Sequence, residues 1–254
     1  MPLLAFVSNK SKDAIHGVSI RLLLFLLAFI CLFAPAYGAT ITVVANNGAD
    51  LKRAIETTAN AGDIVELPVG TYLLSSQIAW PNKNNITLRA VSGGNPTNVI
   101  ISASATNQNR FALLNFVVSL SIQNLTLQNF GGANWQNDGG VFYFNANVTL
   151  NIQNCVLSGN AVNVSGGCFY KADNGGYVNA QGVLFQGNQA HKGGVAYMGT
   201  HVWTNCVMVS NIVIPGILQL GGGAVEYYGM HTWTNCSVSG NDATTGLIYN
   251  DMSI

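Results

Sequence analysis

The sequence predicts an all-β fold: a single-stranded right-handed parallel β-helix of about seven coils, with a short N-terminal capping helix. Three observations carry this expectation. A short block recurs at near-constant spacing. Apolar residues alternate on each side of a bend residue in every copy. Glycine pairs and asparagines recur too often for a helical period of 3.6.

The block is clearest in "HVWTNC" at 201–206 and "HTWTNC" at 231–236. Aligned on the residue before the Cys, the anchors are Asn124, Asn154, Gly182, Asn205 and Asn235, spaced 30, 28, 23 and 30 residues apart. Two residues before each anchor stand Ile122, Ile152, Ala180, Trp203 and Trp233. One residue after it stand Leu125, Cys155, Val183, Cys206 and Cys236, and three after it Leu127, Leu157, Phe185, Met208 and Val238. The alternation holds on each side but its phase changes across the anchor. That pattern describes two short strands meeting at a bend, with one interior. Asn tolerates the left-handed backbone of such a bend and Gly adopts it at no steric cost, so Gly182 can stand where Asn stands elsewhere.

Six residues beyond the anchor a second Asn closes the strand, at Asn160, Asn188, Asn211 and Asn241. A glycine pair then opens a third strand at Gly139–Gly140, Gly166–Gly167, Gly193–Gly194 and Gly222–Gly223, with "TGLIY" at 245–249 as a degenerate copy. Three strands and three turns make one coil, and the regular coils run over 118–254. The preceding half follows the same plan less regularly, with "NNITLRA" placing Asn85 as a further anchor. Before it, 50–61 reads as a helix with Asp50 at its N-cap, Leu51, Ala54 and Ile55 as an apolar stripe, and Gly62 past its end. Such a helix covers the apolar end of a solenoid. No equivalent follows "LIYNDMSI", so a C-terminal cap is expected to be missing.

Residues 1–38 read as a secretion signal and 39–254 as the β-helix domain. Lys10, Lys12 and Arg21 precede a 13-residue apolar run, Leu22 to Ala34, and "APAYGA" offers cleavage after Gly38. The run falls short of the about 20 residues a membrane helix needs, so no span is expected in the mature chain. The alternative is an uncleaved anchor over 22–39. Cys31 leaves with the signal, and Cys155, Cys168, Cys206 and Cys236 remain. Only 8% of the chain is charged and its formal net charge is zero. Phosphate affinity needs clustered Lys and Arg, so nucleic acid is excluded as a partner.

The stretch "GDIVELPVGTYLL" after the short helix resembles the entry of pectate-lyase-like β-helix proteins. "LFQGNQAHKGGVAY" resembles the repeat of chlamydial polymorphic outer membrane proteins, an F-x-x-N element followed by G-G-A-[ILV]. Phe185 to Asn188 is a literal copy of the first, and Gly222 to Val225 of the second. Leu157, Met208 and Val238 replace the Phe elsewhere. The resemblance implies the fold. It leaves open lyases, hydrolases, adhesins and displayed passengers, which all occur on it.

His201, His231, Cys206 and Cys236 invite a metal reading. In register they are stacked positions on different strands about a bend, without the close spacing of a zinc site, so neither a metal nor a cofactor is expected. The thiols are expected to be buried and unbridged. The third strand carries the surface expectation. Tyr143, Tyr170, Tyr197, Glu226 and Tyr249 alternate with Phe142, Phe169, Ala196, Val225 and Ile248. If the second set fills the core, the first forms an outward stripe suited to sugar. An inward stripe is the alternative. For catalysis the candidates are Asp138, Asp173 and Glu226 as acids with Lys171 as base.

The expected function is a secreted or cell-surface, non-catalytic adhesion or glycan-binding module, with an extracellular polysaccharide or host glycan as partner. A polysaccharide lyase or glycoside hydrolase is the alternative, and it requires Asp138, Asp173 and Glu226 to meet near Lys171. A truncated structural passenger is the third reading.

Overall fold

The alternating runs become strands, and each strand pairs with its equivalent in the coils before and after. In the coil that begins at Thr149, the three strands are Thr149–Gln153, Val156–Ser158 and Phe169–Lys171. They belong to three sheets, called I, II and III in that order. Sheet I has eight strands, from Thr40–Thr42 to Met230–Thr234. Sheet II has seven, from Gly70–Leu74 to Ser237–Ser239, and sheet III seven, from Ile78–Ala79 to Ile248–Tyr249. All three are parallel throughout, so the chain is an all-β right-handed parallel β-helix of seven coils. The computed structural model describes residues 38–254 apart from 92–93, 105–107, 133–134, 172, 174, 215–222, 244–247, 250–254 and the side chain of Tyr249. The signal-like segment 1–37, Cys31, Gly222 and most of "TGLIY" therefore lie outside the described residues. No described helix is long and apolar enough to cross a membrane.

The bend between sheets I and II takes two residues, and its first is left-handed in each regular coil. Asn124, Asn154, Gly182, Asn205 and Asn235 have φ of 57°, 50°, 63°, 53° and 51°. The residue that follows turns inward, and Leu125, Cys155, Val183 and Cys206 are buried. Asn85 is also left-handed, at 61°, but it is not the same anchor. It precedes the sheet I strand Ile86–Ala90, which pairs Ile86 with Leu120, so Asn85 turns the chain into sheet I rather than out of it.

At the far end of sheet II, the second Asn of each coil points inward and its amide stacks on the next. The Nδ2 of Asn160 donates to Asn188 Oδ1 (2.9 Å), that of Asn188 to Asn211 (2.9 Å), and that of Asn211 to Asn241 (2.8 Å). The same Oδ1 atoms accept the next-lower backbone N–H, as Asn188 Oδ1 does from Asn160 (3.1 Å). Each Nδ2 also reaches a carbonyl, Leu157 O in the case of Asn188 (3.0 Å). A buried polar ladder is tolerated because every member is paired.

The N-terminal helix forms, with corrections. Helix α1 is Gly48–Arg53, capped by the Asn47 side chain, which accepts the Asp50 N–H (2.9 Å). Asp50 lies inside the first turn and instead accepts the Val44 N–H (2.7 Å). The helix then widens through Ala54–Thr58, where Ala59 N–H bonds back to Ala54 O (2.8 Å), and ends there rather than at residue 61. The apolar stripe is as expected: Leu51, Ala54 and Ile55 join the core.

Replacing Asn188 with Ala strips partners from the Asn160 N–H, the Asn160 amide and Leu157 O. The expected loss is on the order of 3 kcal/mol, because unpaired buried polar groups cost about 1–3 kcal/mol each. Asn241 is half-buried at the ladder's end, and Asn241→Ala should cost less. The urea midpoints of the two variants test this order.

Candidate functional site

Alternation in sheet III turns Phe142 and Phe169 into the core and Tyr143 and Tyr170 outward, where they are half-buried. Tyr197 continues the outward stripe. The next member is Tyr227 and not Glu226. The strand Glu226–Tyr227 pairs Ala196 with Glu226 and Tyr197 with Tyr227, and the last strand adds Tyr249 beside Tyr227. The expected stripe was one residue out of phase in this coil. The chain reads Gly221–Gly222–Gly223–Ala224, and the pair in register is Gly223–Ala224. Ala224 occupies the place of Gly194, whose absent Cβ faces the Ala224 carbonyl as that of Gly167 faces the Gly194 carbonyl. Three glycines in a row hid the phase.

The tyrosine rings stack face to face along the solenoid. Ring centres are 4.9 Å apart between Tyr143 and Tyr170, 5.2 Å between Tyr170 and Tyr197, and 5.5 Å between Tyr197 and Tyr227, the last two pairs within 10° of parallel. The ring faces are thus taken up by neighbours. Tyr143, Tyr170 and Tyr197 stay half-buried on the outer side of the sheet and Tyr227 is buried, so the ladder offers ring edges rather than faces on which a sugar could lie. Arg110 covers the first ring, its guanidinium 4.8 Å from the Tyr143 centre and 5.8 Å from Trp135. Lys192 lies 5.4 Å from the Tyr227 centre. Such cation–ring contacts contribute about 0.5–2 kcal/mol each.

Asp138 completes this rim. Arg110 Nη2 donates to the Asp138 carbonyl (3.1 Å). Burial pushes the Asp138 carboxyl up, against the opposing pull of Ser165, Arg110 and Lys192. Burial, followed by the Asp138 charge, pushes Tyr170 up to about 12 and raises Tyr197, so these phenols stay protonated donors. Arg110 and Lys192 had no signal in the repeat pattern, because their roles depend on turns between the repeated strands.

The four catalytic candidates do not converge. Lys171 is in register with the core residue Phe144, is 6% exposed, and pairs with the exposed Asp173 (3.2 Å) at the exit of its strand. The Gly175 N–H and then Lys171 hold the Asp173 carboxyl below the usual range. Asp138 sits at the other end of the same sheet with Arg110 and Lys192. Glu226 points inward, fully buried, because it takes the register of Ala196 and Phe169. Its company there is His201 and His231, one above the other in sheet I. Burial pushes the Glu226 carboxyl up, and interactions with the two imidazoles outweigh that and lower it.

The cysteines remain thiols. Cys155, Cys168 and Cys206 are buried, and Cys236 is half-buried with its Sγ 3.4 Å from the Cys206 backbone N, whose N–H it accepts. No protein-family model matches the chain, and no curated protein sequence matches it. Fold and site define a parallel β-helix with a tyrosine ladder along its third sheet.

Burial pushes the Cys155 thiol up to about 12 and Cys206 to about 11, leaving almost no thiolate at neutral pH. Iodoacetamide at pH 8 should alkylate Cys236 about tenfold or more faster than Cys155, Cys168 or Cys206, as read by peptide mass mapping. Equal rates in the folded protein would contradict the packing described.

Proposed function

We propose that this chain is an exported, surface-acting β-helix whose tyrosine ladder binds an extended glycan without cleaving it. The observation that carries the reading is the row of stacked phenols at Tyr143, Tyr170, Tyr197 and Tyr227, bordered by Arg110, Asp138 and Lys192. A polymer lying along the solenoid axis meets a tyrosine in each successive coil from Tyr143 onward, where the two preceding coils carry Ala79 and Leu113. The charged rim supplies the fixed polar groups that orient a ligand. The ligand is held through its hydroxyls by phenol O–H groups and ring edges, since the ring faces are occupied.

Export rests on the basic, apolar and small-residue segments of 1–38, and surface display on the resemblance of "LFQGNQAHKGGVAY" to chlamydial polymorphic outer membrane protein repeats. The resemblance of "GDIVELPVGTYLL" to pectate-lyase-like proteins keeps polysaccharide as the ligand class. The lyase or hydrolase reading required Asp138, Asp173 and Glu226 to meet near Lys171. Their separate partners leave that set without a shared substrate position.

The test is retention of the purified protein on a panel of cell-wall polysaccharides, with and without calcium, with polymer length measured afterwards. The expected result is retention with unchanged length. The double variant Tyr170→Ala, Tyr197→Ala should weaken retention about tenfold or more, a loss of roughly 1.4 kcal/mol, with an unaltered β-sheet circular dichroism signal. Undiminished retention would remove the ladder as the site, and shortened polymer would overturn the non-catalytic reading.

A further inference from the structure

The interior of the sixth and seventh coils holds a group of side chains that the tyrosine ladder does not use. His201 and His231 occupy the same sheet I position in successive coils, and their rings stack 5.8 Å apart at 13°. Glu226 enters from sheet III between them. His201 Nδ1 lies 3.3 Å from Glu226 Oε1, and His231 Nδ1 contacts Glu226 Oε2. Trp203 donates its indole N–H to Glu226 Oε1. The Glu226 side chain is fully buried, and the His201 and His231 side chains are 2% and 7% exposed.

As a purely internal arrangement this group is poorly satisfied. His231 Nε2 is buried without a partner, and the Nδ1 atoms of both imidazoles meet only Glu226, in ion-pair contacts that lack hydrogen-bond alignment. Room has been kept for the rings: Gly199 and Gly229 precede the two strands at φ of 96° and 108°, and a Cβ on either would stand 3.3 Å from an imidazole atom. One donor atom from each of the three residues lies within 4.8 Å of the other two. Donors on a tetrahedral zinc ion, at about 2.1 Å from it, stand about 3.4 Å apart. The widest pair needs to close by up to about 1.4 Å to share one ion.

We propose that His201, Glu226 and His231 bind a divalent first-row transition metal of the zinc class inside the solenoid. Two imidazoles and a carboxylate are the donor set such ions take, with the fourth position left to water. The Trp203 indole N–H holds the carboxylate in place, the part that outer hydrogen bonds play around metal ligands. The ion satisfies three buried groups at once and ties sheet I to sheet III in the last coils. Cys206 and Cys236 face a different part of the interior and take no part.

Cobalt(II) is the probe, added alone to the full chain after treatment with EDTA. The expected result is one equivalent bound, with visible absorption of a nitrogen- and oxygen-ligated ion, displaced by zinc. Zinc should also raise the thermal midpoint, reversibly by EDTA. In Glu226→Gln, which keeps the side-chain volume, cobalt affinity should fall at least about tenfold. His231→Asn serves if Glu226→Gln does not fold. The proposal is overturned if the folded wild-type chain takes up no stoichiometric cobalt or zinc. It is equally overturned if binding persists undiminished in a folded variant, or if the spectrum shows thiolate charge transfer. No glycan enters the experiment, so its outcome is independent of the tyrosine ladder.

Discussion

Each coil is held by parallel backbone hydrogen bonds to the coil before it, and this pairing is in register across the regular sheets. Everything else follows from that constraint. A residue in one coil faces the same position in the next, about 4.8 Å away. Like then stacks on like. Asn160, Asn188 and Asn211 become an amide ladder, Phe142 and Phe169 a core stack, and Tyr143, Tyr170 and Tyr197 an outer one. Pairings that would be incidental on a globular surface are here multiplied by the number of coils.

The fold was legible where the backbone itself demanded a residue type. Left-handed bends at Asn124, Asn154, Gly182, Asn205 and Asn235 select Asn or Gly, and the neighbours of those bends carry the inward and outward phase. Asn85 shows the limit of that rule. It is left-handed for the same steric reason, yet turns a different corner, so conformation alone does not assign register. The helix cap was misplaced for a related reason. Asn47 and Asp50 are both good caps, and the choice fell to Asn47 because Asp50 is occupied by the Val44 N–H.

The sites were less legible because they draw on more than one sheet. Glu226 illustrates this most plainly. One additional glycine in the run at 221–223 moves it from the outer face to the interior, and there it meets histidines about 25 residues away at one end and five at the other. Repeat alignment compares equivalent positions and so pairs His201 with His231. It has no means of pairing either with a residue on a different strand of the coil. Arg110 and Lys192 were missed because the turns that bring them to the tyrosine ladder do not repeat.

The connections between sheets II and III and those between sheets III and I both differ in length from coil to coil, and the anchor spacings of 30, 28, 23 and 30 record it, while the strands they join stay in register. Length is therefore absorbed outside the ladder. For the history of such a gene, the increment that leaves the architecture intact is a whole coil, or a change within a connecting loop. A single residue inserted within a strand inverts inside and outside for the rest of that strand.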